Sequence, residues 1–290
     1  MAPPRRSVGV AVAVLSFFAC LAVLPVSAHG PLHEQIAALT AQIQQEPQNP
    51  ELYLKRGELH SHDGKWEAAL ADYERAAKLD PRLAVVDLAR GKTLLVAGRY
   101  AEARAAVDRF LANHPNHAEA RAARARVSVK LGQNRAAVED YTWAIDESVR
   151  RGRAIPEYYL ERARACAAEG DAYVNEALRG LDEGMEKLGP LATLQLEAIA
   201  LERTGKRYDA ALARLETIAA QSPRKELWLA RRGEILEQAG RVTQARLAYE
   251  QALAAMESLP TRHRKTRATT ELEAHIHAAL ARLSGDENRE

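Results

Sequence analysis

Histidine is the residue type whose placement most invites chemistry in this 290-residue chain. Nine are present, and eight fall in close pairs: His29 with His33, His60 with His62, His114 with His117, and His275 with His277. An α-amine beside an imidazole makes a copper-binding pair, to which a second imidazole can add a third donor. Cleavage after Ala28 would create that arrangement, with His29 as the new N-terminus and His33, His60 or His62 as the second imidazole. Other features of the pairs speak for ordinary packing or solvation. His114 and His117 flank Pro115 in a turn, and His275 and His277 point to different faces of a helix. His60 falls at a packing position, and no acidic or cysteine partner set accompanies the pairs. The remaining chemistry is sparse. There is no G-x-G-x-x-G after a strand, no Walker lysine loop, no H-E-x-x-H and no G-x-S-x-G. No catalytic residue and no cofactor is expected, and carboxylates should mostly pair locally, Asp72 with Arg75 and Glu74 with Lys78.

Cleavage after Ala28 is itself written in the sequence. Arg5 and Arg6 precede the apolar run 8–24, Pro25 breaks it, and Val26-Ser27-Ala28 ends it with small residues in the positions a signal peptidase reads. Residues 1–28 are therefore expected to be a secretory signal. An uncleaved membrane anchor is the alternative, since 7–28 is long enough to span a bilayer. A lipid anchor on Cys20 fits less well, because Phe17 stands three residues before it. Removing the segment deletes two arginines and no acid, so the formal charge of +2 falls to zero. A neutral protein does not neutralise phosphates along a nucleic acid. Only Cys166 remains, so an exported chain has no internal disulfide, and among Ala165, Ala167 and Ala168 that thiol reads as a small buried group. The expected location is periplasmic or secreted, with membrane contact only through an uncleaved signal or a lipid anchor.

The elements that must position any site follow from a period of 34 residues. Gly57, Gly64, Trp66, Ala69 and Pro81 reappear as Gly91, Gly98, Tyr100, Ala103 and Pro115, and then in part as Ala125, Gly132, Asn134 and Ala137. A fourth unit begins at Pro156, with its second helix near 173–187 displaced by an insertion at 151–155. A fifth uses Gly205, Tyr208, Ala211 and Pro223, and a sixth Trp228, Gly233, Gly240, Ala245 and Tyr249. Each unit reads as two amphipathic helices. A glycine (Gly64, Gly98, Gly132, Gly170, Gly205 or Gly240) ends the first in the left-handed conformation. Small residues permit close approach, and Tyr73, Tyr141 and Tyr249 fill the gap between helices. The 57 alanines and the 5% aromatic content suit that construction.

These residues resemble tetratricopeptide repeats, of the kind found in exported bacterial proteins, over about residues 50–258. The resemblance implies an all-α fold, a right-handed α-α superhelical solenoid of about six helix pairs. Apolar spacing at Leu32, Ile36, Leu39 and Ile43 marks an N-terminal capping helix within 29–49. Leu272, Ile276, Leu280 and Leu283 mark a C-terminal one within 259–290, with 284–290 a frayed tail. Arg56 and Arg90 depart from the family pattern, which has an apolar residue there, as do Gly180 and Gly184 in the fourth unit.

In this family the first helices line a concave groove, which implies a non-enzymatic scaffold for a protein or peptide, here supporting an exported or envelope complex. Lys92, Arg126, Lys130, Arg164 and Arg203 then fall on the groove and form a local positive stripe, suited to an acidic peptide or a C-terminal carboxylate. The plainer expectation is that these charges pair with neighbours and keep the face soluble. The family's lysine-and-asparagine carboxylate clamp is not present, so no chaperone-tail function is implied.

Overall fold

The computed structural model describes residues 32–287. Helix α1 (Leu32–Gln45) is followed by six antiparallel pairs: α2 (Pro50–His62) with α3 (Trp66–Leu79), α4 (Val85–Val96) with α5 (Tyr100–Asn113), α6 (Ala118–Lys130) with α7 (Asn134–Arg150), α8 (Pro156–Ala167) with α9 (Val174–Leu188), α10 (Ala192–Thr204) with α11 (Tyr208–Gln221), and α12 (Glu226–Gln238) with α13 (Val242–Glu257). A single turn, α14 (Thr261–Arg264), leads into α15 (Arg267–Glu287). Each helix packs on the next, and the first helices of successive pairs line one side, so the chain is an all-α solenoid without a strand among the described residues.

Local sequence explains where these helices begin and how closely they meet. Asn49 accepts a hydrogen bond from the Glu51 amide, and Pro50 occupies the first turn, where its missing N–H costs nothing. Inside the repeat, the would-be Cβ of Gly57 lies 2.6 Å from the Tyr73 ring, and that of Gly233 lies 2.6 Å from Tyr249. Only a residue without a side chain lets those buried rings cross. The displaced fourth repeat solves the same problem with the roles exchanged. Here Tyr159 of the first helix, fully buried, covers Gly184 of the second. Gly184, a departure from the family pattern by sequence, is thus the counterpart of Gly57.

Several expectations need correction. Of the six turn glycines, Gly205 does not take the left-handed conformation; its φ is −78°, and Lys206 carries the positive φ of 56° instead. The 284–290 tail does not fray at Ser284, because α15 runs on to Glu287. Asp72 pairs not with Arg75 but with Arg56, at 2.6 Å, joining α2 to α3 inside the first repeat. Arg124 and Asp140 repeat that bridge, also at 2.6 Å, between α6 and α7. In both cases the arginine precedes the small packing residue, so the departure noted at Arg56 is a helix-to-helix clip. Glu74 does bind Lys78, at 2.6 Å.

The ends are closed as the apolar spacing required. α1 covers α2 with Ile43 buried, and α15 lays the fully buried Ile276 and Ala279 against α13. Cys166 is buried, its thiol donating weakly to the Tyr173 carbonyl at 3.5 Å, and burial pushes its pKa up to about 11. It behaves as a small apolar filler. Among the described residues no helix is long and apolar enough to cross a membrane, and residues 1–28, with Cys20, lie outside them.

Candidate functional site: the concave face

The inner face is built by α2, α4, α6, α8, α10 and α12, and α15 occupies the place of a further inner helix. Four of the five cations expected there are held by a partner on the following inner helix. Lys92 of α4 binds Glu119 of α6. Arg126 of α6 meets Glu161 of α8 at 2.9 Å, and Arg164 of α8 meets Glu197 of α10 at 2.7 Å. Arg203 of α10 lies 3.8 Å from Glu234 of α12 and donates to Gln238 at 2.9 Å. His275 of α15 reaches the same Glu234 at 3.2 Å. Of the five, Lys130 alone is exposed with no carboxylate partner among the described residues. The inner face therefore carries a ladder of alternating charge from α4 to α15, in place of a stripe of free positive charge.

Electrostatics follow the ladder. The Lys92 ammonium holds the Glu119 carboxyl below its usual range, and the hydrogen bond that Arg164 donates to Glu197 raises the Arg164 pKa. Burial works against the charge on Arg126, yet its bonds to Glu161 outweigh that cost and leave its pKa raised. Such half-exposed pairs contribute modestly, ~0.5 kcal/mol each. Their more important effect is geometric, because each pair fixes two long side chains and the spacing of two helices. Glu119, Glu161 and Glu197 are the groove residues that sequence reasoning missed. They stand at different heights on their helices from the cations, so a 34-residue shift does not connect the two.

Apolar surface occupies the two ends of this face. The N-terminal recess, about 1150 Å³, opens between α2, α4 and α6 and includes Val85, Leu88, Val96 and Phe110. The C-terminal recess, about 460 Å³, opens between α10 and α12 and includes Leu196, Ile199 and Leu227, with Leu272 of α15 at its far wall.

The histidines take separate roles. His114 stacks on Phe110 at 4.5 Å between centroids, and His117 meets the same ring edge-on at 5.0 Å. The His117 Nδ1 also accepts from the Ala120 amide and so caps α6. His60 turns its Nε2 toward Asp72 at 3.9 Å, whereas His62 faces the N-terminal recess. His33 is exposed on α1, and His29 lies outside the described residues. Among the described residues no three His, Cys, Asp or Glu side chains are grouped to hold a metal ion.

Two sequence models match this arrangement of paired helices: a tetratricopeptide repeat over residues 60–127, and a tetratricopeptide repeat-like domain over 159–271. Together they take in more than half of the chain. The chain belongs to the tetratricopeptide-repeat proteins. Solved members of that fold superimpose on this tetratricopeptide-repeat chain at low identity. A tetratricopeptide repeat protein from Parabacteroides merdae is 18% identical, with a TM-score of 0.55 over 85% of this chain and 92% of its own. YrrB, described as having an unusual peptide-binding site, is 23% identical, with a TM-score of 0.51 over 67% of this chain and 97% of its own. Yeast Tom70 is 14% identical, with a TM-score of 0.53 over 82% of this chain and 48% of its own. The comparison with curated proteins gave no match.

Proposed function

We propose that this tetratricopeptide-repeat protein is a non-enzymatic scaffold that binds a peptide segment of a partner protein along its concave face. The observation that carries this reading is the inter-helix ladder of charge, which fixes the groove in one shape before a ligand arrives. A preorganised surface loses little entropy on binding, so more of the contact energy is expressed as affinity. Lys92, Arg126, Lys130, Arg164 and Arg203 supply the polar contacts. Pairing does not bury them: the Lys92, Arg126 and Arg164 side chains stay 43%, 36% and 58% exposed, and can donate to a peptide backbone while holding their carboxylates. The peptide-binding neighbour YrrB supports the use of this fold for that purpose.

We propose further that the chain acts outside the cytoplasm, in the periplasm or as a secreted protein after removal of residues 1–28, where it supports assembly of an exported or envelope complex. The support is the basic start, apolar middle and small-residue end of that segment. N-terminal sequencing of the protein recovered from the cell envelope tests it, and a first residue other than His29 overturns cleavage after Ala28. Binding is tested by affinity purification with mass spectrometry, using the native chain and the double variant Arg126→Glu, Arg164→Glu. Loss of partners at unchanged helical content supports the groove, and full retention of every partner refutes it.

A further inference from the structure

We infer that the peptide bound by this groove is a single extended segment with two apolar anchors about ten residues apart, one seated in each end recess. This rests on the peptide-binding reading above and specifies its ligand. Among the described residues five large aliphatic side chains are exposed, and three of them, Val85 at 40%, Val96 at 66% and Leu227 at 38%, stand in the two recesses. Between the recesses the inner face of α6 and α8 presents the Arg126–Glu161 and Arg164–Glu197 pairs. Covering those with an apolar group would strip water from paired charges at a cost. Apolar side chains are thus welcome at both ends and unwelcome in the middle.

Residual charge gives the segment a direction. In the N-terminal recess Lys92 and Glu119 satisfy each other and Arg82 faces Asp80 at 3.7 Å, which leaves Glu58 without a cation within 4 Å among the described residues. In the C-terminal recess Arg203 and His275 converge on Glu234, which leaves Arg231, its guanidinium 5.4 Å from the Trp228 ring centroid, without a carboxylate partner among the described residues. The complementary ligand carries a basic residue beside the first anchor and an acidic residue beside the second.

The spacing follows from helix packing. The recesses are separated by three to four inner-helix steps of ~9 Å, or about 30 Å in all. An extended chain advances ~3.3 Å per residue, so about nine residues bridge them. Once the first anchor is seated, the second binds intramolecularly, and the pair exceeds either alone by at least an order of magnitude.

The test uses the full chain and labelled synthetic peptides in fluorescence anisotropy. One probe carries Lys-Leu and Leu-Glu joined by nine Ser, Asn and Gly residues. Controls replace either Leu by Ser or shorten the spacer to four. The two-anchor probe should bind at least about tenfold more tightly than every control. Val96→Asp and Leu227→Asp, both at exposed positions, should each reduce it to the one-anchor level with helical content unchanged. Equal binding of one-anchor and two-anchor probes, sensitive to Val96→Asp, overturns the two-anchor ligand and leaves the peptide groove standing. Groove binders from a random 16-residue displayed library that lack paired anchors do the same. If neither probes nor library yield any peptide sensitive to Val96→Asp, Leu227→Asp or the Arg126→Glu, Arg164→Glu pair, both readings fall.

Discussion

Tyr159 lies over Gly184 as Tyr73 lies over Gly57, but the ring comes from the first helix of its repeat and the glycine from the second. A Cβ on Gly184 would stand 2.9 Å from that ring and 3.0 Å from Leu194, both in packed surroundings. Gly184→Ala should therefore destabilise the chain by roughly 1–2 kcal/mol despite the better helix propensity of alanine. Gly180→Ala, one turn earlier, meets only the Arg162 guanidinium at 3.0 Å, which Glu183 holds at 2.5 Å; the small shift it requires offsets the better helix propensity of alanine, so this variant should be close to neutral. Urea unfolding of the two variants checks the contrast, and equal destabilisation would refute the packing account.

Lys206 holds a left-handed backbone at φ 56° directly after a glycine that does not use its freedom. Lys206→Gly should stabilise by roughly 0.5–1 kcal/mol, the left-handed penalty less the entropy that glycine adds to the unfolded chain. A lowered thermal midpoint for this variant would show that the residue is not strained.

Arg126 and Glu161 should behave as a coupled pair. Arg126→Glu places two carboxylates across the α6–α8 seam and should loosen it, while Arg126→Glu with Glu161→Arg should restore stability. Because the pair is half exposed, the coupling should be about 0.5–1 kcal/mol and shrink as salt rises. A double-mutant cycle at two ionic strengths measures it, and zero coupling at low salt would remove the ladder as an ordering device.

His117 links the groove wall to pH. Burial lowers its pKa below the ordinary 6.5, and His114, Lys92 and Arg151 add like charge nearby, against which Glu119 pulls the other way. Its neutral Nδ1 is the α6 cap acceptor, and a proton there would end the bond and put a cation at a helix N-terminus. A depressed folded pKa means that the stabilisation is present above 6.5 and is lost as pH falls from there through the folded value. The loss should be on the order of 1 kcal/mol. His117→Asn keeps a cap that does not titrate, so its stability should be flatter below pH 6.5 than that of the native chain. Parallel curves for the two would dismiss His117 as the source.

The repeat period made the paired helices legible, because glycine, alanine and tyrosine spacing reports directly on close packing between neighbours in sequence. Both capping helices were legible for the same reason, from the positions of Ile43 and Ile276. The charge ladder was not. Lys92 and Glu119 are 27 residues apart, whereas Arg126 and Glu161 are 35 apart, so no single offset identifies the pairs. Only the rotation of one inner helix against the next brings them together. Asp72 was assigned to Arg75 by the local three-residue spacing, whereas its partner Arg56 lies sixteen residues back, across the turn. The recesses were invisible for a related reason. Val85, Val96 and Leu227 look like ordinary helix residues until the stack shows that nothing among the described residues covers them.

Inner helices joined by screened ionic contacts, with alanine and tyrosine packing behind them, make a curved spring. Its outer coil is set by apolar packing and hardly feels the medium, while its inner coil stiffens in dilute electrolyte and relaxes in concentrated salt. The contacts that hold neighbouring inner helices in register are then the part of the stack that added salt weakens first.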